Sequence, residues 1–225
     1  MKDINVCSWN VRGLADPHRF KVLSQWVRRQ NTPGLDAICL QELLVSEESA
    51  KFKLKQLLPD NTICMDVAEN GWVGLAPRLA PRLALVIPLT VTVLEQGKKG
   101  DGHFCWAKFD GHEGPIFLGA IYAPRDRQKC IALWQWMVEH LPQENWIFAG
   151  DFNMLELPND TTGYSSVIHW SEGRAWKRCS DYFDLVDALL CSVQFEGPIF
   201  TRQAIHRNRL DQARLDRVYC SNRAH

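Results

Sequence analysis

Segments of strand periodicity and of helix periodicity alternate along nearly the whole chain, a pattern that only a few layered α/β architectures accommodate. Ile4-Asn5-Val6-Cys7-Ser8-Trp9 has strand character, followed by a loop at 10–14. A helix comes next, with Asp16 as N-cap, Pro17 in its first turn and an apolar stripe of Phe20, Leu23, Trp26 and Val27. Leu35–Leu40 reads as a second, buried strand, and Ser46-Glu47-Glu48 opens a second helix running to about Leu58. The middle is β-rich, at Ala84–Leu94, Phe104–Phe109 and Ile116–Tyr122. Asp126–Leu141 has the spacing of an amphipathic helix, and Trp146-Ile147-Phe148-Ala149 that of a buried strand. Pro158–Trp176 is polar enough for a long surface loop; Tyr182–Leu190 resumes regular patterning, and two last strands fall near Ile199–Thr201 and Leu215–Cys220. Residues 76–83 spell Ala-Pro-Arg-Leu twice, and two prolines so close predict a loop insertion. No linker composition interrupts the pattern. One domain over 1–225 is expected, with two sheets packed on each other and helices outside.

Lys+Arg 26 against Asp+Glu 26 leaves no net charge, which excludes a strongly basic nucleic-acid binder but not a local basic patch. The eight cysteines contain no C-x-x-C pair and several sit inside apolar runs, so buried reduced thiols are expected rather than disulfides or a zinc site. Nothing at the start has the build of a secretory leader, and no apolar run is long enough to cross a membrane.

The strand ends carry the chemistry. Trp146–Ala149 finishes in Gly150-Asp151-Phe152-Asn153, and on an extended chain the side chains of Asp151 and Asn153 would share a face. The first strand ends in Asn10, the second in Glu42, a middle one in Tyr122-Ala123-Pro124, and the last two offer Thr201 and Asp216. Singly, each has a plain structural explanation. Asn10 can fix its own turn, Glu42 can be a solvated strand end, Tyr122 packing, Thr201 strand vocabulary, and Asp216 an ion pair with Arg214 or Arg217. Together they form the pattern by which rigid α/β scaffolds build sites on the loops at sheet edges.

In that order the motifs SWNVRGL (8–14), LQE (40–42), YAP (122–124), GDFN (150–153), FT (200–201) and RLDRVYCS (214–221) resemble the endonuclease/exonuclease/phosphatase superfamily. NVRGL and RLDRVYCS are most similar to the apurinic-like endonuclease domains of non-LTR (LINE-type) retrotransposons. The resemblance implies a four-layer, DNase-I-like α/β sandwich of two mixed sheets flanked by helices. It implies phosphodiester cleavage supported by Mg²⁺ (or Mn²⁺), held by Glu42 and the Asn10 amide oxygen, since a hard cation takes oxygen ligands and keeps several waters. Asp151 would orient and deprotonate the attacking water, Asn153 would hold that water or a phosphate oxygen, Tyr122 would donate to the phosphate or support Asp151, and Thr201 would touch DNA phosphate.

In the family, the aspartate at Asp216 orients a histidine from a later Ser-Asp-His motif. Here only nine residues follow it (225 − 216), too few for a further strand, turn and return. The expectation is therefore a chain truncated before that motif, weakly active or inactive, with His225 a bystander and the other histidines on the surface. Arg202, Arg207, Arg209, Arg214 and His206 make a local basic cluster between Thr201 and Asp216, and Arg12, Arg125 and Arg127 extend it. The resemblance implies double-stranded DNA as partner, a reverse transcriptase domain in the same polyprotein, nicking that leaves a 3′-hydroxyl primer, work in the nucleus, and no membrane. Three other readings stay open: an abasic-site repair endonuclease, a phosphatase of the same superfamily, and a non-catalytic DNA-binding remnant.

Overall fold

The computed structural model describes residues 4–29, 35–58, 60–68, 72–73, 76–77, 80–111, 114–162, 169–191, 200–206 and 209–222. A four-stranded mixed sheet is built from β1 (Val6–Asn10), β2 (Ala37–Gln41), β3 (Asn61–Ala68) and β6 (Ala80–Pro88), in the order β1-β2-β6-β3. A six-stranded mixed sheet follows, from β7 (Val93–Lys98), β8 (Phe104–Gly111), β9 (Gly114–Tyr122), β10 (Trp146–Asp151), β11 (Leu185–Asp187) and β14 (Asp216–Ser221), in the order β11-β14-β10-β9-β8-β7. Two short ribbons pair β4 (Trp72–Val73) with β5 (Ala76–Pro77), and β12 (Arg202–His206) with β13 (Arg209–Ala213).

The four described helices, α1 (Pro17–Arg29), α2 (Glu47–Leu57), α3 (Arg127–His140) and α4 (Trp170–Phe183), cover the outer faces. Leu23 and Val27 of α1 and Ala50 and Leu54 of α2 pack on Ile38, Leu40, Ala84 and Val86 of the smaller sheet. Leu133, Trp134 and Met137 of α3 and Trp176 and Phe183 of α4 pack on Phe104, Ile121, Trp146 and Phe148 of the larger one. Between the sheets the side chains are mostly smaller: Ala37, Cys39 and Leu85 meet Cys105, Ala107, Ala120 and Ala149. β8 shows the cause. Phe104 and Trp106 face the helices while Cys105, Ala107 and Phe109 face the other sheet, the strict alternation of a strand buried on both sides. The sandwich therefore has four layers, as the resemblance implied.

Three local readings need correction. The second Ala-Pro-Arg-Leu copy is not a loop: it starts the central strand β6, where a register shift opposite Asp66 and Val67 accommodates the chain at Pro81. The first copy contributes β5. The polar stretch expected as a loop becomes helix α4 from Trp170, burying Trp176, Cys179 and Phe183 at helical spacing. The β-rich reading of 84–94 is broken after Pro88, and β7 begins at Val93.

The Asp16 cap behaves as expected, and Asp126 supplies a second that the spacing alone had not named. Asp16 accepts from the N–H groups of His18 (2.8 Å) and Arg19, and Asp126 caps α3 through Lys129 N–H. All eight cysteines are free, five of them buried. No described helix is long and apolar enough to cross a membrane.

Candidate active site

Strand direction gathers the polar strand ends onto one rim. β1 and β2 are parallel, with Asn10 opposite Gln41, so Asn10 and Glu42 leave the smaller sheet together. β9 and β10 are also parallel, with Tyr122 opposite Asp151, while β14 runs antiparallel and starts with Asp216 opposite Asp151. Asp151 lies on the same face of β10 as Ile147 and Ala149, the face turned toward the other sheet.

Asn10 Nδ2 donates to Asp151 Oδ2 at 3.1 Å and to Glu42 Oε1 at 3.0 Å, joining carboxylates from the two sheets. Tyr122 donates its hydroxyl to Glu42 Oε1 at 3.2 Å, and the exposed Arg125 guanidinium lies 3.8 Å from the same oxygen. Tyr122 thus supports Glu42, where support of Asp151 had been one expectation. The Asn10 oxygen accepts from Arg12 N–H at 3.2 Å instead of facing Glu42.

Unusual backbone brings several of these groups into place. Arg12, Glu42 and Asn153 have left-handed φ of 50°, 56° and 48°, a conformation that non-glycine residues adopt rarely and often at functional loops. Asn153 therefore reaches the cleft through a turn, not along the extended strand that the i, i+2 spacing suggested. Its N–H donates to Asp151 Oδ1 at 2.9 Å, and its Nδ2 donates to Ala123 O at 2.7 Å, tying two site loops together. Gly150 is dictated by space, because a Cβ there would lie 1.9 Å from Ile121 O.

Asp216 and Thr201 form a separate unit. Thr201 Oγ1 accepts from Leu215 N–H (2.9 Å) and Asp216 N–H (3.0 Å), so the threonine expected on DNA phosphate first fixes the start of β14. Asp216 Oδ1 is buried with no hydrogen-bond partner. Burial, reinforced by the negative charge of Asp151, pushes the Asp216 carboxyl up to about 6. Burial also raises Asp151, with Glu42 adding to the shift and the Asn153 N–H and Asn10 amide opposing it. The Tyr122 phenol goes up to about 12 through burial and the neighbouring Glu42 charge.

Asn10, Glu42, Asp151, Asn153 and Asp216 line a cleft of about 890 Å³ with Arg12, Arg125, Arg202 and Thr201 at its sides. It continues along α1 past His18 and Arg19 onto Trp9, Val22 and Trp26, none of which the strand-end pattern had singled out. The Asp16-Pro17 start, which brings the first turn of α1 close after the Asn10 loop, was the available signal.

The basic cluster is smaller than expected. Arg214 is buried and donates to Asp187 Oδ1 at 2.8 Å. Arg217 is buried too and pairs with Asp160 and Asp187, so neither arginine neutralises Asp216. Arg202 is exposed on the cleft; Arg209 is placed only as the first residue of β13, and Arg207 and His225 lie outside the described residues. Nor are all histidines on the surface: His103 is buried against Tyr122.

Among the described residues no cluster of three or more His, Cys, Asp or Glu could enclose a metal. What the cleft offers is oxygen: the Glu42 and Asp151 carboxylates about the Asn10 amide, whose own oxygen accepts from Arg12 N–H. That donor set suits a hard divalent cation that retains water, and it does not suit zinc.

A family model described as the endonuclease/exonuclease/phosphatase family matches residues 7–225. The chain belongs to the endonuclease/exonuclease/phosphatase family. Its members are hydrolytic nucleases and phosphatases. The fold of this family member is similar to that of the endonuclease domain of TRAS1, a telomere-specific non-LTR retrotransposon (11% identity, TM-score 0.65, 98% of this chain and 86% of that one). It is also similar to an AP endonuclease from Archaeoglobus fulgidus (15%, 0.67, 97% and 87%) and to the AP endonuclease LMAP from Leishmania major (15%, 0.67, 96% and 78%). No curated protein matches the chain by sequence.

Proposed function

We propose that this family member is a Mg²⁺-dependent (or Mn²⁺-dependent) DNA endonuclease that nicks one strand of a duplex and leaves a 3′-hydroxyl, the end that target-primed reverse transcription extends. The supporting observation is the joining of Asn10, Glu42 and Asp151 across two sheets, with Asn153 and Asp216 on the same cleft and Tyr122 bonded to Glu42. Glu42 and Asn10 would hold the cation, which supplies charge neutralisation at the phosphoryl group. Asp151, raised by burial, is a stronger base than a solvated carboxylate and takes the proton of the attacking water. Asn153 fixes the Asp151 carboxylate through its N–H, and Tyr122 holds Glu42. Arg12, Arg125 and Arg202 meet the flanking phosphates, and Thr201 joins them after anchoring Asp216. The unpartnered Asp216 oxygen is an acceptor suited to orienting an imidazole, the role that the family gives this aspartate.

The β12–β13 ribbon, which leaves the cleft at Arg202 and returns before Asp216, favours duplex DNA over a small phosphate ester. A reverse transcriptase domain in the same polyprotein and action in the nucleus follow from this reading. Plasmid nicking, cleavage of an abasic oligonucleotide and phosphate release from small esters, run in parallel with Mg²⁺, test it. Weak nicking of intact duplex is expected, falling at least about a hundredfold in Asp151→Asn. Cleavage confined to abasic sites would assign a repair enzyme, phosphate release without nicking a phosphatase, and DNA binding without either a non-catalytic module.

A further inference from the structure

Outside the cleft, one carboxylate among the described residues is fully buried and unused by the proposed chemistry. Asp66 lies on β3, at the bulge, with no exposed surface. Its Oδ1 accepts from Gly100 N–H at 2.9 Å, and its Oδ2 accepts from the N–H groups of Gly102 (2.9 Å), His103 (3.1 Å) and Phe104 (3.2 Å). Gly100 and Gly102 have φ of 94° and 82°, which lets the loop curl its amides around the carboxylate. A charge taken wholly out of water persists only when saturated in this way. The loop is thus nailed to the smaller sheet at four points, although its chain continues into β8 of the larger one.

What the loop delivers is His103. Its carbonyl accepts from Tyr122 N–H at 3.1 Å, and its ring Nδ1 donates to Tyr122 O at 2.6 Å. The two rings lie 6.1 Å apart, inclined at 31°. Both backbone polar groups of Tyr122 are therefore held by one residue, and that residue is held by Asp66. Tyr122 in turn holds Glu42.

We propose that Asp66 and His103 form a positioning bracket that sets Tyr122, and through it Glu42, from behind the cleft. The consequence for cleavage rests on the function proposed above; the bracket itself does not. The decisive variant is Asp66→Asn. It keeps the size, but its NH₂ must face either Gly100 N–H or the other three amides, and it touches Tyr122 only through His103. His103→Ala removes the ring donor, and His103→Gln restores one.

The measurement is fluorine NMR of protein carrying 3-fluorotyrosine, with the Tyr122 resonance assigned by its absence in Tyr122→Phe. Asp66→Asn and His103→Ala should each move or broaden that resonance and leave those of Tyr182 and Tyr219 in place. In nicking assays both should lower kcat about tenfold to a hundredfold with KM unchanged. Glutamine at 103 should recover most of the loss. On a Tyr122→Phe background neither change should lower kcat further. An unmoved Tyr122 resonance in Asp66→Asn overturns the bracket, and so do losses that simply add to that of Tyr122→Phe. A resonance that moves in a protein that cleaves no DNA supports the bracket and sinks the proposed function instead.

Discussion

Gly150 and Asp216 are the residues whose identity the surroundings dictate most directly. At Gly150 any side chain meets Ile121 O on the neighbouring strand, within a β9–β10 pairing too regular to yield cheaply. Gly150→Ala should destabilise the protein by at least about 2 kcal/mol, read from urea unfolding at equilibrium. Retention of full stability would show that the strands can part without penalty. For Asp216 the direction of the effect follows from linkage. Its carboxyl stands at about 6 in the folded chain against an ordinary 3.8, so between those values the native state keeps a proton that the unfolded chain releases. The stability contribution is complete below about 3.8 and is lost as pH rises to about 6. Asp216→Asn should then melt at a higher temperature than the native protein at pH 7.5 and show no gain near pH 3.8. A lower melting temperature at pH 7.5 would contradict the desolvated environment. These residue types were legible as polar strand ends, but the left-handed turns at Arg12, Glu42 and Asn153 were not, because no glycine marks them.

Elements were legible where caps and apolar stripes agreed and obscure where one of them was missing. Asp16 and the spacing of α1 announced that helix. In α4 the buried stripe of Trp176, Cys179 and Phe183 is diluted by Ser171, Glu172, Arg174, Lys177, Arg178 and Asp181, so composition suggested a loop. β3 was not among the strands expected from the pattern, and the role of Asp66 in it shows only through its long-range amide partners. The charges flanking Asp216 behave differently again. Arg217, wholly buried, joins Asp160 of the loop after β10 to Asp187 of β11, and Arg214 shares Asp187. Asp160 also accepts from Glu156 and Leu157 N–H groups. Arg217→Leu leaves Asp160 buried without a cation and Asp187 with Arg214 alone, and should remove about 3–5 kcal/mol, again by urea unfolding. A loss under about 1 kcal/mol would mean that Arg214 alone satisfies the network.

For the molecule as a whole, the layer order was readable from the alternation of patterns, while the meeting of strand ends needed direction and register that a single chain does not display. That meeting lies on the seam between two sheets, Glu42 and Asn10 on one and Asp151, Tyr122 and Asp216 on the other. A cation held there stabilises only the aligned sandwich. At a hundred times its dissociation constant, Mg²⁺ should add about 2.7 kcal/mol to unfolding, visible as a melting temperature that climbs with concentration. Glu42→Gln should flatten that climb; an unaltered climb would move the cation elsewhere. The same seam makes the proposed chemistry a gauge of alignment. Enlarging an interlayer side chain such as Ala149 would slide one sheet over the other by a fraction of an ångström, enough to separate the partners of Asn10 while every strand stays paired. Catalysis would then fade well before the protein melts, and a screen for lost cleavage would collect core variants far from any charged group.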